Sequence, residues 1–295
     1  MKQLKKIFCF SIILSMLFSL SVLAHENESE ENTNQESEIV MIEHNLITGE
    51  VEENGYPINE DLTDSSMFLT PIAPFSIIGE DNREPVDFPI EVIGKLEITG
   101  RNGKSYGGTA FLVSDDLILT AGHCLDNDEM GGHATKLVFK AGLHYNGSYI
   151  ASANATESYL PPQWEENRDP NWDWALLRLD KPIGATVGYE TIRVNEVPFG
   201  KACEIVGYDV NYSPKNIQLI GFGHVQGYEQ FRLYYNADTE GGMSGSPIYI
   251  AYAQNDYGTR FAISGIHTNG TSSSEARNSG VRITTSIINM LNYKK

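Results

Sequence analysis

Beyond about residue 90 the chain is a succession of short apolar runs separated by Gly, Asn, Asp and Pro. The runs cover 91–99, 108–113, 117–121 and 136–141, then 173–179, 203–208, 217–222, 231–235, 247–252, 261–267 and 280–283. Several alternate apolar with polar positions, as in Phe231-Arg232-Leu233-Tyr234. Short runs at close spacing with turn residues between them predict an all-β sandwich or barrel. One segment has another period. Ile287, Ile288 and Leu291 fall on one face of a helix, so a C-terminal helix is expected over 284–293. The stretch 180–188, with Pro182 and Gly184, is the expected join between two halves.

The first part of the chain follows neither pattern. Lys2, Lys5 and Lys6 precede an apolar run from Ile7 to about Leu20, which ends at Ser21-Val22-Leu23-Ala24. This is the pattern of a signal peptide cut after Ala24, so residues 1–24 are read as leader and the product as secreted and extracellular. The run is shorter than the about 20 residues a membrane span needs. Residues 25–75 hold thirteen Asp and Glu and no Lys or Arg. Their early part is too polar to bury a core, but Ile39, Val40, Ile42, Leu46 and Ile47 give the later part something to pack. The segment closes on Pro71-Ile72-Ala73-Pro74-Phe75, an extended and accessible linker. We read 25–75 as an acidic propeptide. The formal net charge of −18 argues against nucleic acid and anionic membrane as partners.

The remaining 220 residues, 76–295, are long enough to bury a core without disulfide support. Only Cys124 and Cys203 fall there, and nothing in their spacing pairs them. Hydrolysis of an amide by a hydroxyl needs a nucleophile, a base, an acid that orients the base, and donors for the oxyanion. Ser244 lies in Gly241-Gly242-Met243-Ser244-Gly245, where glycines allow a tight bend, and the amides of Gly242 and Ser244 are candidates for an oxyanion hole. His123 follows an apolar run directly, in Leu119-Thr120-Ala121-Gly122-His123. Asp173 opens an apolar strand between Trp172 and Trp174, a costly place for an unpaired carboxylate. The order His, Asp, Ser is neither the subtilisin nor the α/β-hydrolase order. No His-Glu-x-x-His metal motif occurs, and neither a metal nor a cofactor is expected.

The blocks 120–124, 173–176 and 242–247 resemble those of chymotrypsin-fold serine proteases. The likeness sharpens to the bacterial glutamyl endopeptidases in Ser76-Ile77-Ile78-Gly79, Asp238-Thr239 and Ile266-His267-Thr268-Asn269-Gly270. It implies two six-stranded antiparallel β-barrels with the site between them. Residues 76–185 would form the barrel carrying His123 and Asp173, and 186–295 the barrel carrying Ser244 plus the terminal helix. It also implies an endopeptidase acting on protein or peptide substrates as a monomer, after an activating protease removes the propeptide. Relatives often pair the Cys after the catalytic His with another about sixteen positions earlier. Gly108 stands there in this chain.

Two specificities compete at the residue before the scissile bond. Asp238 stands six positions before Ser244, where a trypsin-like enzyme carries the carboxylate that selects Lys or Arg. Thr239 and His267 instead offer donors to a carboxylate, with His267 able to carry charge beside it, and the resemblance adds the α-ammonium of a mature Ser76. Cleavage after Glu, and weakly after Asp, is the favoured expectation. A protease fold turned into a non-catalytic binding protein is the rival class.

Overall fold

The computed structural model describes residues 37–58, 72–73, 77–195, 197, 199–255, 258–271 and 277–295. The expected leader, Ser76 and the Phe75–Ser76 junction lie outside these residues. Six strands close the first barrel: β1 (Ile93–Thr99), β2 (Ser105–Leu112), β3 (Leu117–Thr120), β4 (Lys136–Ala141), β5 (Ala151–Leu160) and β6 (Ala175–Leu179). They run in the order β4-β1-β2-β3-β6-β5, and the pairing of β5 with β4 completes the ring. Alternation explains the filling. Leu96 and Ile98 of β1, Leu137, Phe139 and Ala141 of β4, and Ala153 and Ala155 of β5 all point into one cluster. Each fully buried Leu or Phe there is worth about 1.5–3 kcal/mol.

The second barrel repeats the plan with β7 (Ala202–Tyr208), β8 (Gln218–Tyr228), β9 (Arg232–Tyr235), β10 (Pro247–Asn255), β11 (Gly258–Thr271) and β12 (Asn278–Arg282). The order is β7-β10-β11-β12-β9-β8, closed by β7 against β8. The all-β class and the two six-stranded barrels are as expected. So is the terminal helix, Thr285–Lys294, whose first turn is capped by the Thr284 side chain and whose Ile287, Met290 and Leu291 are buried.

Part of the acidic segment is built into the fold. Strands Ser37–Asn45 and Val51–Ile58 form a hairpin that adds to the far half of β5, with Ile42 opposite Leu160 and Asn45 opposite Glu157. Ile39 and Met41 enter the core shared with Tyr159 and the terminal helix. At the rim Lys294 Nζ pairs with Glu43 at 2.9 Å, and His44 Nε2 meets Glu165 at 3.0 Å. His133 is half-buried, and His44 stacks on it with centroids 4.0 Å apart.

Cys124 and Cys203 are both free and buried. Gly108 explains the first. A Cβ built there would lie 2.9 Å from Cys124 Sγ, a gap that one C–S bond and one S–S bond of about 2.04 Å can span. Gly108→Cys is therefore expected to oxidise onto Cys124 and close a loop of about 15 residues, adding about 3 kcal/mol of stability. Urea unfolding with and without reductant measures this; coincident curves would show that no bond forms.

Candidate active site

Strand register delivers the first two side chains to one place. Ala175 at the start of β6 pairs with Thr120 at the end of β3. The residues just before the one and just after the other, Asp173 and His123, therefore emerge at the same barrel end. His123 sits in the single 3-10 turn Gly122–Cys124, and Asp173 closes the 3-10 turn Pro170–Trp172. The loop before β10 carries Ser244. That loop is held from across the cleft by the first barrel. Thr109 N donates to Ser244 O at 2.8 Å, and Thr109 Oγ1 donates to Gly242 O at 2.9 Å.

The three side chains form a chain of contacts. His123 Nε2 is 2.6 Å from Ser244 Oγ, and Nδ1 is 2.8 Å from Asp173 Oδ2. Asp173 is fully buried. Its burial is tolerated because the His123 amide donates to Oδ1 at 2.8 Å, and Asn269 Nδ2 donates to Oδ2 at 3.5 Å. With Asp173 accepting from Nδ1–H, the lone pair of Nε2 faces the hydroxyl, which is the tautomer a base requires.

Gly242 has φ +97°, and a Cβ there would lie 2.6 Å from Tyr208 O and 2.9 Å from Val210 N. Only glycine fits this bend. Among the described residues no backbone carbonyl takes the amide of Gly242 or of Ser244. Both remain available beside Ser244 Oγ, as an oxyanion hole needs. A cleft of about 770 Å³ runs from His123, Gly242 and Ser244 past Cys124, Met130 and Lys95. The Cys124 thiol in its wall is pushed up to about 12 by burial, so it is no rival nucleophile.

The specificity residues divide. Thr239 and His267 are both fully buried. Thr239 Oγ1 makes no hydrogen bond in the described structure. Tyr235 Oη lies 2.5 Å from His267 Nδ1. Burial first, then the neighbouring His123, pushes His267 down to about 3. On its own His267 is thereby held as a neutral ring, while the charge expected from the sequence is that of the ring with a carboxylate beside it. Asp238 is also accounted for. Its Oδ1 accepts from the amide of Ile78 at 2.5 Å and its Oδ2 from that of Asn82 at 2.8 Å. Both oxygens are committed to amides of the segment 78–82, which leaves little for a Lys or Arg substrate. Ser76 lies outside the described residues, so its place in the pocket is not assigned.

One neighbour of the site was not anticipated. The short strand Ile72–Ala73 pairs antiparallel with β11, Ala73 opposite Gly270 and Ile72 opposite Thr271. Gly270 pairs on its other side with Asn278 of β12, so the acidic segment's last described residues fill an otherwise open edge three residues beyond His267.

Two closed barrels with a His, an Asp and a Ser meeting between them define a chymotrypsin-fold serine protease, and the chain belongs to that class. Residues 108–254 match the family described as "Trypsin-like peptidase domain". Within the class it stands close to the glutamyl endopeptidases. It is 27% identical to the glutamyl endopeptidase of Bacillus licheniformis, over 84% of this chain and 77% of the relative. A solved Glu endopeptidase in complex with MPD superposes with a TM-score of 0.63 at 29% identity, covering 75% of this chain and 99% of the other. The chain is also 29% identical to a Bacillus subtilis protein named extracellular metalloprotease, over 78% of this chain and 73% of the relative. Among the described residues no three His, Cys, Asp or Glu side chains are grouped as metal ligands.

Proposed function

We propose that the chain is a secreted endopeptidase that cuts peptide bonds after Glu, with Ser244 as nucleophile, His123 as base and Asp173 as its orienting acid. The observation that carries this is His123 bridging the other two at 2.6 and 2.8 Å. Ser244 Oγ attacks the scissile carbonyl as its proton passes to His123 Nε2, and Asp173 stabilises the imidazolium. The amides of Gly242 and Ser244 receive the oxyanion. His123 then protonates the leaving amine, and water releases the acyl group by the reverse sequence.

The preference for Glu is supported by what the pocket offers. Thr239 has a hydroxyl with no other partner. The Tyr235 hydroxyl donates to Ser279 O and so meets His267 Nδ1 as an acceptor, which leaves the Thr239 hydroxyl as the donor offered to a carboxylate. Secretion is supported by the leader pattern and by a relative whose name calls it extracellular. We take 25–75 as a propeptide in a zymogen. Ile72–Ala73 lies on the β11 edge, where an incoming peptide would otherwise add its backbone as a strand. Cleavage near Phe75–Ser76 by another protease frees that edge.

A proteome-derived peptide library digested with the processed enzyme tests the assignment. Cuts are expected after Glu, with a minority after Asp. Predominant cutting after Lys or Arg would restore Asp238 as the selector. Failure of a fluorophosphonate to label Ser244 in the processed protein would leave a binding protein instead.

A further inference from the structure

The cleft that opens at Ser244 and His123 is lined along one side by β1 and β2 of the first barrel, and Lys95 of β1 stands in that lining. Alternation along β1 turns Leu96 and Ile98 into the barrel core and leaves Lys95 half-buried on the outer face. An ammonium drawn out of water is normally met by a carboxylate. Among the described residues Lys95 Nζ forms no ion pair and donates only to the amide oxygen Asn216 Oδ1, at 2.8 Å. Of the two carboxylates in the lining, Glu97 is taken by Lys140 at 2.7 Å and Glu129 is exposed to solvent. Burial pulls the Lys95 pKa below the usual lysine value; Glu97 opposes this, and Lys140 and Lys215 add to it. The ammonium has donors to spare, and an arriving carboxylate would relieve it.

The path from the nucleophile to this lysine is short and bare. A Cβ built on Gly108 would lie 3.6 Å from Ser244 O, and one built on Gly107 would lie 3.8 Å from Lys95 Cε. Neither glycine puts a side chain between the cleft and the lysine stem. Thr239 and His267, read as facing the residue before the cut, are not part of this lining. We propose that this cleft takes the leaving half of the substrate and that Lys95 selects there for an acidic side chain at the second residue after the scissile bond. Extended chain advances about 3.3 Å per residue with side chains on alternate faces. The first residue after the cut therefore covers Gly108 and Cys124, and the second reaches Gly107 and Lys95. This rests on the reading of Ser244 as nucleophile and of the Thr239 wall as the pocket for the residue before the cut.

The test measures kcat/KM of the processed enzyme on paired peptides, each with one Glu at the cut and either Asp or Asn two residues after it. The wild type is expected to favour the Asp peptide about 3- to 10-fold, as for one charge pair about 6 Å apart in a partly solvated site. Lys95→Met is expected to bring the ratio within about 1.5-fold of one. Lys95→Arg, which keeps a cation there, is expected to preserve the preference. So is Lys136→Met, which removes an exposed lysine of the same lining. Equal wild-type rates on the two peptides overturn the proposal without any variant. A preference that survives Lys95→Met overturns it too, even with both rates reduced, as does one that Lys136→Met abolishes. Should Lys95→Met not fold, a wild-type preference kept in Lys136→Met supports the proposal, and its loss there overturns it. A wild-type enzyme that cuts neither peptide after Glu would overturn the reading of the site itself, and this proposal with it.

Discussion

Ser244→Ala is expected to fold as the wild type does and to hydrolyse a Glu-containing peptide about 10⁵- to 10⁶-fold more slowly. The hydroxyl lies 2.6 Å from His123 Nε2 and makes no other side-chain hydrogen bond among the described residues, so its removal subtracts chemistry and leaves the backbone in place. The backbone around it is secured independently. Ser244 O accepts from Thr109 N, and Gly245 N donates to His267 O at 2.8 Å. A residual rate above water should persist, because the amides of Gly242 and Ser244 still meet the oxyanion. Stopped assays on processed protein, paired with urea unfolding, measure both halves. Turnover within tenfold of wild type would remove Ser244 from the mechanism.

Gly242→Ala carries the second largest effect, with kcat falling about 10²- to 10³-fold. An alanine at φ +97° is itself strained by about 1–3 kcal/mol. Its methyl would also meet backbone atoms at 2.6 and 2.9 Å, which cannot swing aside as a side-chain end can. The peptide must rotate, and its N–H leaves the position where charge develops. Gly241→Ala is the matched control. The nearest atom to a Cβ there is Asn211 Nδ2 at 3.5 Å, and the rate should stay within a few-fold of wild type. Equal losses in the two variants would show that the loop is merely fragile.

The sequence made some of this legible and hid the rest for physical reasons. His123, Asp173 and Ser244 stood out because each combined a reactive group with an apolar run or glycines beside it. β5 was not anticipated. Its Ser152, Asn154, Thr156 and Ser158 break any apolar run, while inward-facing Ala153 and Ala155 fill the barrel without a strong apolar signal. Asp238 was ambiguous because a carboxylate's partner decides its role, and here the partners are amides about 160 positions away. The burial of His267, which holds the ring neutral on its own, is a property of the fold that its sequence neighbours do not reveal. Arg232 lies in a run that reads only as an alternating strand, and sequence alone does not say that its guanidinium is buried. The strand at Ile72–Ala73 was invisible because two residues have no period.

No disulfide joins the two barrels or the hairpin beside them among the described residues. Cys124 and Cys203 lie in different barrels, each sheltered and each kept as the protonated thiol. A reductant therefore finds no crosslink to open. The body of the enzyme should tolerate dithiothreitol as readily as air, its stability indifferent to the redox state of its surroundings.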